Sequence, residues 1–235
     1  MSNVNNISSG ISPTQFIIRA IAGVVVFCAL LFGGAGTFAW PEGWLYLVVQ
    51  CTSWTVVVLW LRKHNPELLK QRAELWKRVT KPWDKAIVIL LTVGFIPLLG
   101  LPGVDAVRYR WSEVPLLFKI LGFLGILVSS GLMFWVLKIN PYSSAVVEIQ
   151  KERGHKTITT GPYEYVRHPM YVGGILNVIS IPLALGSLIA FVPAIFLTAV
   201  VVVRTYLEDK TLHRELDGYA KYAETVKYRL VPGVW

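Results

Sequence analysis

The stretch Gly161 to Gly174, GPYEYVRHPMYVGG, sets a guanidinium (Arg167), an imidazole (His168) and a phenol (Tyr171) at the mouth of a long apolar segment. A permanent cation, a two-edged ring and an aromatic face placed there suit a ligand held at a membrane surface. Pro169 fits the first turn of a helix. A helix starting at that point directs free N–H groups toward an anion such as a carboxylate. The plainer reading gives Arg167 to lipid phosphates and makes His168 a helix cap. Farther along, Arg204 and Glu208 stand one helical turn apart and share a face, directly after the apolar run that ends at Val203. An internal Arg–Glu pair would account for them, but ionisable groups at membrane depth are functional candidates by default.

If the apolar run between these motifs doubles back, Arg204 and Glu208 return beside Arg167, His168 and Tyr171. The assembled set offers cations for a carboxylate, a carboxylate for an ammonium or sulfonium, and an aromatic face for a ring or cation. That complements S-adenosylmethionine. Upstream, Asn140-Pro141-Tyr142-Ser143-Ser144 breaks the preceding apolar run, Gln150 follows, and His155 to Thr160 reads as extended, β-branched backbone before the turn at Gly161-Pro162.

The elements that position these groups are membrane spans. Hydrophobic residues make up 54% of the chain and charged ones 16%, with a mean hydropathy of +0.53, beyond what a water-soluble core of this length uses. Crossing the hydrocarbon takes about 20 apolar residues. Phe16 to Ala39, Gly43 to Leu61, Ala86 to Val104 and Leu116 to Leu137 qualify. The run 171–203 is too long for one span and carries Pro182, Gly186 and Pro193, so it reads as a helical hairpin turning near Leu185 to Leu188, with one bent helix as the alternative. The expected fold is an all-α polytopic membrane protein of about six transmembrane segments. Residues 1–137 form N-terminal spans, residues 138–235 a core with cofactor loop, hairpin and C-terminal helix, and the whole is one folded unit. The segment 62–85 reads as an interfacial amphipathic helix.

Lys and Arg concentrate in 62–85, in 151–167 and after Val203. The positive-inside rule then puts both termini and the site on the cytoplasmic side. The net charge of +9 fits anionic lipid headgroups, and no interleaved aromatic surface of the nucleic-acid-binding kind accompanies it. The polar, uncharged first fifteen residues lack the basic region of a cleavable signal. That, with the short chain, suggests a prokaryotic inner membrane. Cys28 and Cys51 fall inside apolar spans as free thiols, and no metal site is implied. Trp40, Trp44, Trp83 and Trp111 sit near span ends, as an aromatic belt does. Gly34-Ala35-Gly36 spells part of a dinucleotide fingerprint but lies inside an apolar span, where small residues serve helix packing.

Gln150, HKTITTGPYEYVRHPMYVGG, the R-x-x-x-E at Arg204 and Glu208, and ELDGYAKYAETVKYRLVPGVW together resemble the membrane-embedded isoprenylcysteine carboxyl methyltransferase and phospholipid methyltransferase family. The resemblance covers about Lys138 to Trp235. It implies cofactor contacts from Gln150, His155, Lys156, Thr157, Ile158, Tyr163, His168, Pro169, Met170, Tyr171 and Glu208, and a substrate-binding Arg204. The segment between Gln150 and His155 is shorter than in eukaryotic relatives, and Glu208-Asp209 stands where many have two or more glutamates.

Methyl transfer from a sulfonium has an excellent leaving group, so the protein chiefly positions the reactants and excludes water. An ionised carboxylate needs only an anchoring cation such as Arg204, whereas a phospholipid amine must first lose a proton to a base. No spare base stands out, which favours an isoprenylcysteine-carboxylate-like acceptor over a phospholipid amine. Two other classes compete: an NADPH-dependent membrane sterol-type reductase, and a non-catalytic membrane transport or assembly protein.

Overall fold

Proline opens several of the helices. Pro41, Pro66, Pro82 and Pro169 occupy first-turn positions, where the missing N–H removes a group that would lack a partner anyway and the fixed φ already suits a helix. In this computed structural model residues 13–235 are described. Residues 1–12, which hold most of the polar N-terminal stretch, lie outside the described residues. The helices are α1 (Pro13–Ala35), α2 (Pro41–His64), α3 (Pro66–Ala73), α4 (Leu75–Arg78), α5 (Pro82–Pro102), α6 (Leu116–Ile139), α7 (Pro169–Leu185), α8 (Phe191–Glu215) and α9 (Tyr219–Thr225). A π-helical segment, Gly103–Tyr109, continues α5. No strand occurs among the described residues, and His155 to Ile158 are coil without regular secondary structure.

Four of these helices are long and apolar enough to cross a membrane: α2, α5 with its π-helical continuation, α6 and α8. Ala20–Ala35 and α7 are shorter apolar helices. The 17 residues of α7 make about 25 Å at 1.5 Å per residue, somewhat less than a typical hydrocarbon core. The outer surface is apolar, with Val25, Leu59, Val93, Val128 and Val192 all exposed, as a lipid-facing wall requires.

The run 171–203 is a helical hairpin. Its first helix ends at Leu185, Gly186 takes the left-handed conformation at φ 76°, and Ser187 N–H donates to the Pro182 carbonyl at 2.9 Å. These are the bonds that close a helix C-terminus. The expected interfacial helix over 62–85 is instead divided among the last turn of α2, the short helices α3 and α4, and the start of α5. Pro66 cannot donate back to α2, and Asn65 restarts the helix by accepting from Leu68 N–H at 3.1 Å. Leu68 is fully buried beside Leu61 and Leu137, with Met170 against them.

Small residues let the helices approach closely. A Cβ on Gly122 would lie 2.3 Å from the Ala184 nitrogen, and one on Gly34 would lie 2.2 Å from the Gly100 oxygen. The turns at 36–40, 103–115 and 186–190 gather at one end of the bundle, where Lys119 meets Glu42 at 2.6 Å and the Ser187 hydroxyl donates to Asp105. The loops 62–82 and 138–168 and the chain after Val203 gather at the other end.

Candidate functional site

At that second end a cavity of about 830 Å³ runs from the loop at His155 down to Tyr46 and Gln50, midway along α2. Its wall includes His155, Lys156, Thr157, Ile158, Tyr163, His168, Met170, Tyr171, Arg204 and Glu208. The hairpin therefore brings the two distant motifs together. Gln150 and Pro169 do not line the cavity. The buried Gln150 carboxamide receives Arg153 and donates to the Tyr142 carbonyl, so it holds the loop's shape. Pro169 forms the first turn of α7.

The N-terminus of α7 is less open to an anion than the sequence suggests. Tyr171 and Val172 N–H groups both donate to the His168 carbonyl, which leaves Met170 as the N–H of that turn with no partner among the described residues. Arg167 is not free either. Its Nε and Nη2 reach both oxygens of Asp209 at 2.9 and 3.2 Å, and Nη1 donates to the Val226 and Lys227 carbonyls. Asp209 also accepts from the Tyr219 hydroxyl at 2.9 Å and Arg229 Nε at 2.8 Å, with His168 Nε2 at 3.2 Å. This buried carboxylate ties α7, α8, α9 and the C-terminal tail together. Backbone bonds from Arg167 N–H to the Tyr228 carbonyl and from His168 N–H to the Arg229 carbonyl complete the seam.

One residue earlier, Glu208 faces the cavity. The Tyr171 hydroxyl donates to it, and its closest cationic candidate is His168 Nδ1 at 4.0 Å. Arg204 does not pair with Glu208. Its Nη2 lies 2.9 Å from Asp84 Oδ1 and donates to the Ala145 carbonyl at 2.8 Å, and its guanidinium stands over the Tyr171 ring at 5.8 Å. Arg204 Nε, buried, has no hydrogen-bond partner among the described residues. The second Asp84 oxygen accepts from Val147 N–H at 2.9 Å, so Asp84 fixes both the arginine and the loop it touches.

Asp84 and Asp209 were not legible as site residues. Asp84 lies in the first turn of α5, where an acid ordinarily serves the helix dipole. Asp209 sits beside Glu208, and only helical phase separates a seam-facing carboxylate from a cavity-facing one.

The loop carries its own electrostatics. Burial, with Arg153 nearby, lowers the His155 pKa to about 4, so the ring is neutral at physiological pH and accepts from Gln150 N–H while stacking on Tyr142 at 4.4 Å. Burial raises the Tyr163 phenol. From Lys156 to Thr159 the backbone amides and carbonyls have no hydrogen-bond partners among the described residues, which leaves an unpartnered polar edge beside the cavity. The ensemble can hold a cationic group at Glu208, a planar heterocycle along the loop edge, an oxyanion at Arg204 and an apolar chain between the helices.

No curated protein matches the chain. Residues 117–217 match the model of the phospholipid methyltransferase family. That stretch runs from α6 through the loop 140–168, α7 and α8, and contributes Tyr171, Arg204 and Glu208. The part of this integral membrane protein that builds the cavity's motif-bearing wall is thus the part that is similar to the phospholipid methyltransferase family.

Proposed function

We propose that the protein is an S-adenosylmethionine-dependent methyltransferase whose acceptor is an amphiphile with an acidic head and an apolar tail, of the isoprenylcysteine-carboxylate type. The observation that carries this reading is the pair of opposite charges on one face of α8. Glu208 is a carboxylate in the cavity wall with no guanidinium or ammonium partner, and Arg204, one turn away, keeps a buried Nε–H without an acceptor. The first suits a sulfonium or ammonium and the second an oxyanion.

The residues fit the cofactor the family uses. Glu208 would hold its cationic part, the unpartnered edge at Lys156 to Thr159 matches the donors and acceptors of a purine, and Tyr163 and His168 wall the space between. Bound there, S-adenosylmethionine would supply an electrophilic methyl group on a sulfonium whose thioether is the leaving group. The chain's own part is to align the acceptor oxygen and keep water out, contributions of several kcal/mol when geometry is right. Arg204, held by Asp84 and the Ala145 carbonyl, anchors the head, and the tail follows the apolar wall toward Val57, Phe95 and Leu99. The acceptor enters sideways from the bilayer and the cofactor from the cytoplasm, where the basic end of the bundle lies by the positive-inside rule.

A carboxylate acceptor is preferred because it is already ionised at neutral pH. An amine must lose a proton, and His168, whose Nε2 is engaged with Asp209 and Tyr219, would have to take it at Nδ1, 4.0 Å from Glu208. The test is equilibrium binding of S-adenosylmethionine and S-adenosylhomocysteine to detergent-purified protein, with NADPH in parallel, followed by labelled-methyl transfer to a prenylcysteine and to phosphatidylethanolamine. Micromolar binding of the first two with transfer to the prenylcysteine is expected. Binding of NADPH alone would move the protein to the reductases, and transfer to the amine lipid alone would replace the acceptor.

A further inference from the structure

Of the three arginines in the cavity wall, Arg72, Arg167 and Arg204, one comes from outside the family-matched segment. Arg72, on α3, lines the same space as Arg204. Its Nη1 donates to the Ser143 carbonyl at 3.1 Å, and Arg204 Nη2 donates to the Ala145 carbonyl at 2.8 Å. Those two carbonyls lie two residues apart on one loop, hence within about 7 Å of each other along the chain. The guanidiniums are therefore neighbours on one strip of backbone.

Nothing in the described protein neutralises Arg72. No carboxylate pairs with it among the described residues: Asp84 meets Arg204 and Val147 N–H, Glu148 makes a two-pronged pair with Arg78 at 2.9 Å, and Glu208 faces the cavity with the Tyr171 hydroxyl as its donor. Arg72 has no ion pair among the described residues, and burial together with the positive charge of Arg204 lowers its pKa. A guanidinium stays protonated even so. Two like charges in a poorly solvated wall repel, and the arrangement is relieved by an anion arriving between them. The planar fork of each guanidinium matches two oxygens on one carbon or phosphorus.

We infer that Arg72 and Arg204 form a two-guanidinium site for the oxyanion of the acceptor's head, a carboxylate or a phosphodiester, with Arg72 a specificity-determining residue contributed by the N-terminal half. The inference rests on the methyltransferase reading for the word acceptor, and on Arg72's surroundings for the anion. It gives α3 a purpose beyond lying at the interface: Asn65 donates to Pro141 O and Arg72 to Ser143 O, so this helix presses the loop into the shape that holds both arginines.

The experiment is equilibrium binding to the full chain in detergent, wild type against Arg72→Gln and Arg72→Lys. The probes are N-acetylfarnesylcysteine, its methyl ester, a lysophospholipid with a phosphodiester head, and S-adenosylmethionine. Arg72→Gln is expected to weaken one of the two acidic probes about tenfold and leave the ester and S-adenosylmethionine within about twofold, the loss of one charge-assisted contact. Arg72→Lys recovers part of that loss. Whichever acid depends on Arg72 identifies the head as carboxylate or phosphodiester. Unchanged binding of both acids, or equal weakening of acid and ester, overturns the inference. If wild type binds the acid in an Arg72-dependent way but does not bind S-adenosylmethionine, the anion site stands and the methyltransferase reading falls.

Discussion

Asp209 takes both prongs of the Arg167 guanidinium, Nε at 2.9 Å from Oδ1 and Nη2 at 3.2 Å from Oδ2, with both side chains buried. The arginine of the RHP motif is thus spent on structure. It closes the seam between the start of α7 and the C-terminal end of α8, and the same Asp209 meets the His168 ring at Nε2.

The first expectation follows from that pair. Removing one partner of a buried ion pair leaves an uncompensated charge, typically at a cost of about 3–5 kcal/mol. Asp209→Ala strands Arg167 and also releases Arg229 and the Tyr219 hydroxyl. Thermal unfolding in detergent should show a large drop in midpoint, together with faster proteolysis of the segment after Glu215. A midpoint close to wild type would mean the seam is held chiefly by the Leu216, Tyr219, Tyr222 and Val226 cluster.

The neighbouring carboxylate should behave in the opposite way. Glu208 is partly exposed to the cavity, and its one hydrogen-bond donor in the protein, among the described residues, is Tyr171. Glu208→Ala should leave the unfolding midpoint near wild type and reduce S-adenosylmethionine affinity at least tenfold, as expected when a charged contact to a ligand is lost. Calorimetric titration reads this directly, and wild-type-like affinity would remove Glu208 from the cofactor site. Two adjacent acids, one affecting only stability and the other only binding, would separate seam from site.

Much of this was legible because it is local. Pro169 marks a helix start, Gly186 marks the hairpin turn, and the spacing of Arg204 and Glu208 fixes their shared face of α8. The contacts that were not legible join residues far apart in the chain. Arg204 has the look of a partner for Glu208, yet α5 brings Asp84 to it, and no periodicity in the sequence encodes that meeting. Arg72 reads as one more base on an interfacial helix until Pro66 and Asn65 redirect α3 against the loop at Ser143. Gln150 has the polarity of a ligand contact, but the tight turn at Lys151–Arg153 folds Arg153 back onto it, which consumes its carboxamide internally.

His155 makes the loop sensitive to acid. Its pKa of about 4 in the folded protein lies below the ordinary value of 6.5, so the unfolded loop takes up the proton first. The stabilisation from the neutral, stacked ring is complete above about pH 6.5 and declines as pH falls toward about 4. Unfolding midpoints measured at pH 7 and pH 5 should therefore fall further in wild type than in His155→Asn, which removes this titration. Equal falls in the two proteins would show that other groups set the acid response.

Gly173 and Gly174 are adjacent in sequence, yet the space around them differs. A Cβ on Gly173 would lie 2.8 Å from Met133 Cγ, in the contact where the Ser129 hydroxyl donates to the Gly173 carbonyl at 2.7 Å. A Cβ on Gly174 would meet nothing within 4 Å, and Gly174 lines the cavity. Because α6 and α7 are packed too closely to absorb an added methyl, Gly173→Ala should destabilise the protein by about 1–3 kcal/mol through overpacking. Gly174→Ala should leave the midpoint unchanged or slightly raised, since alanine suits a helix better than glycine by about 1 kcal/mol. A bulkier Gly174→Leu should then fill the cavity and weaken binding of an amphiphilic acceptor several-fold, without loss of fold. Retained acceptor affinity in Gly174→Leu would mean that the tail keeps to the α2 and α5 walls at Val57, Phe95 and Leu99 without reaching Gly174, and Gly173→Leu is the control that should fail to fold in either case.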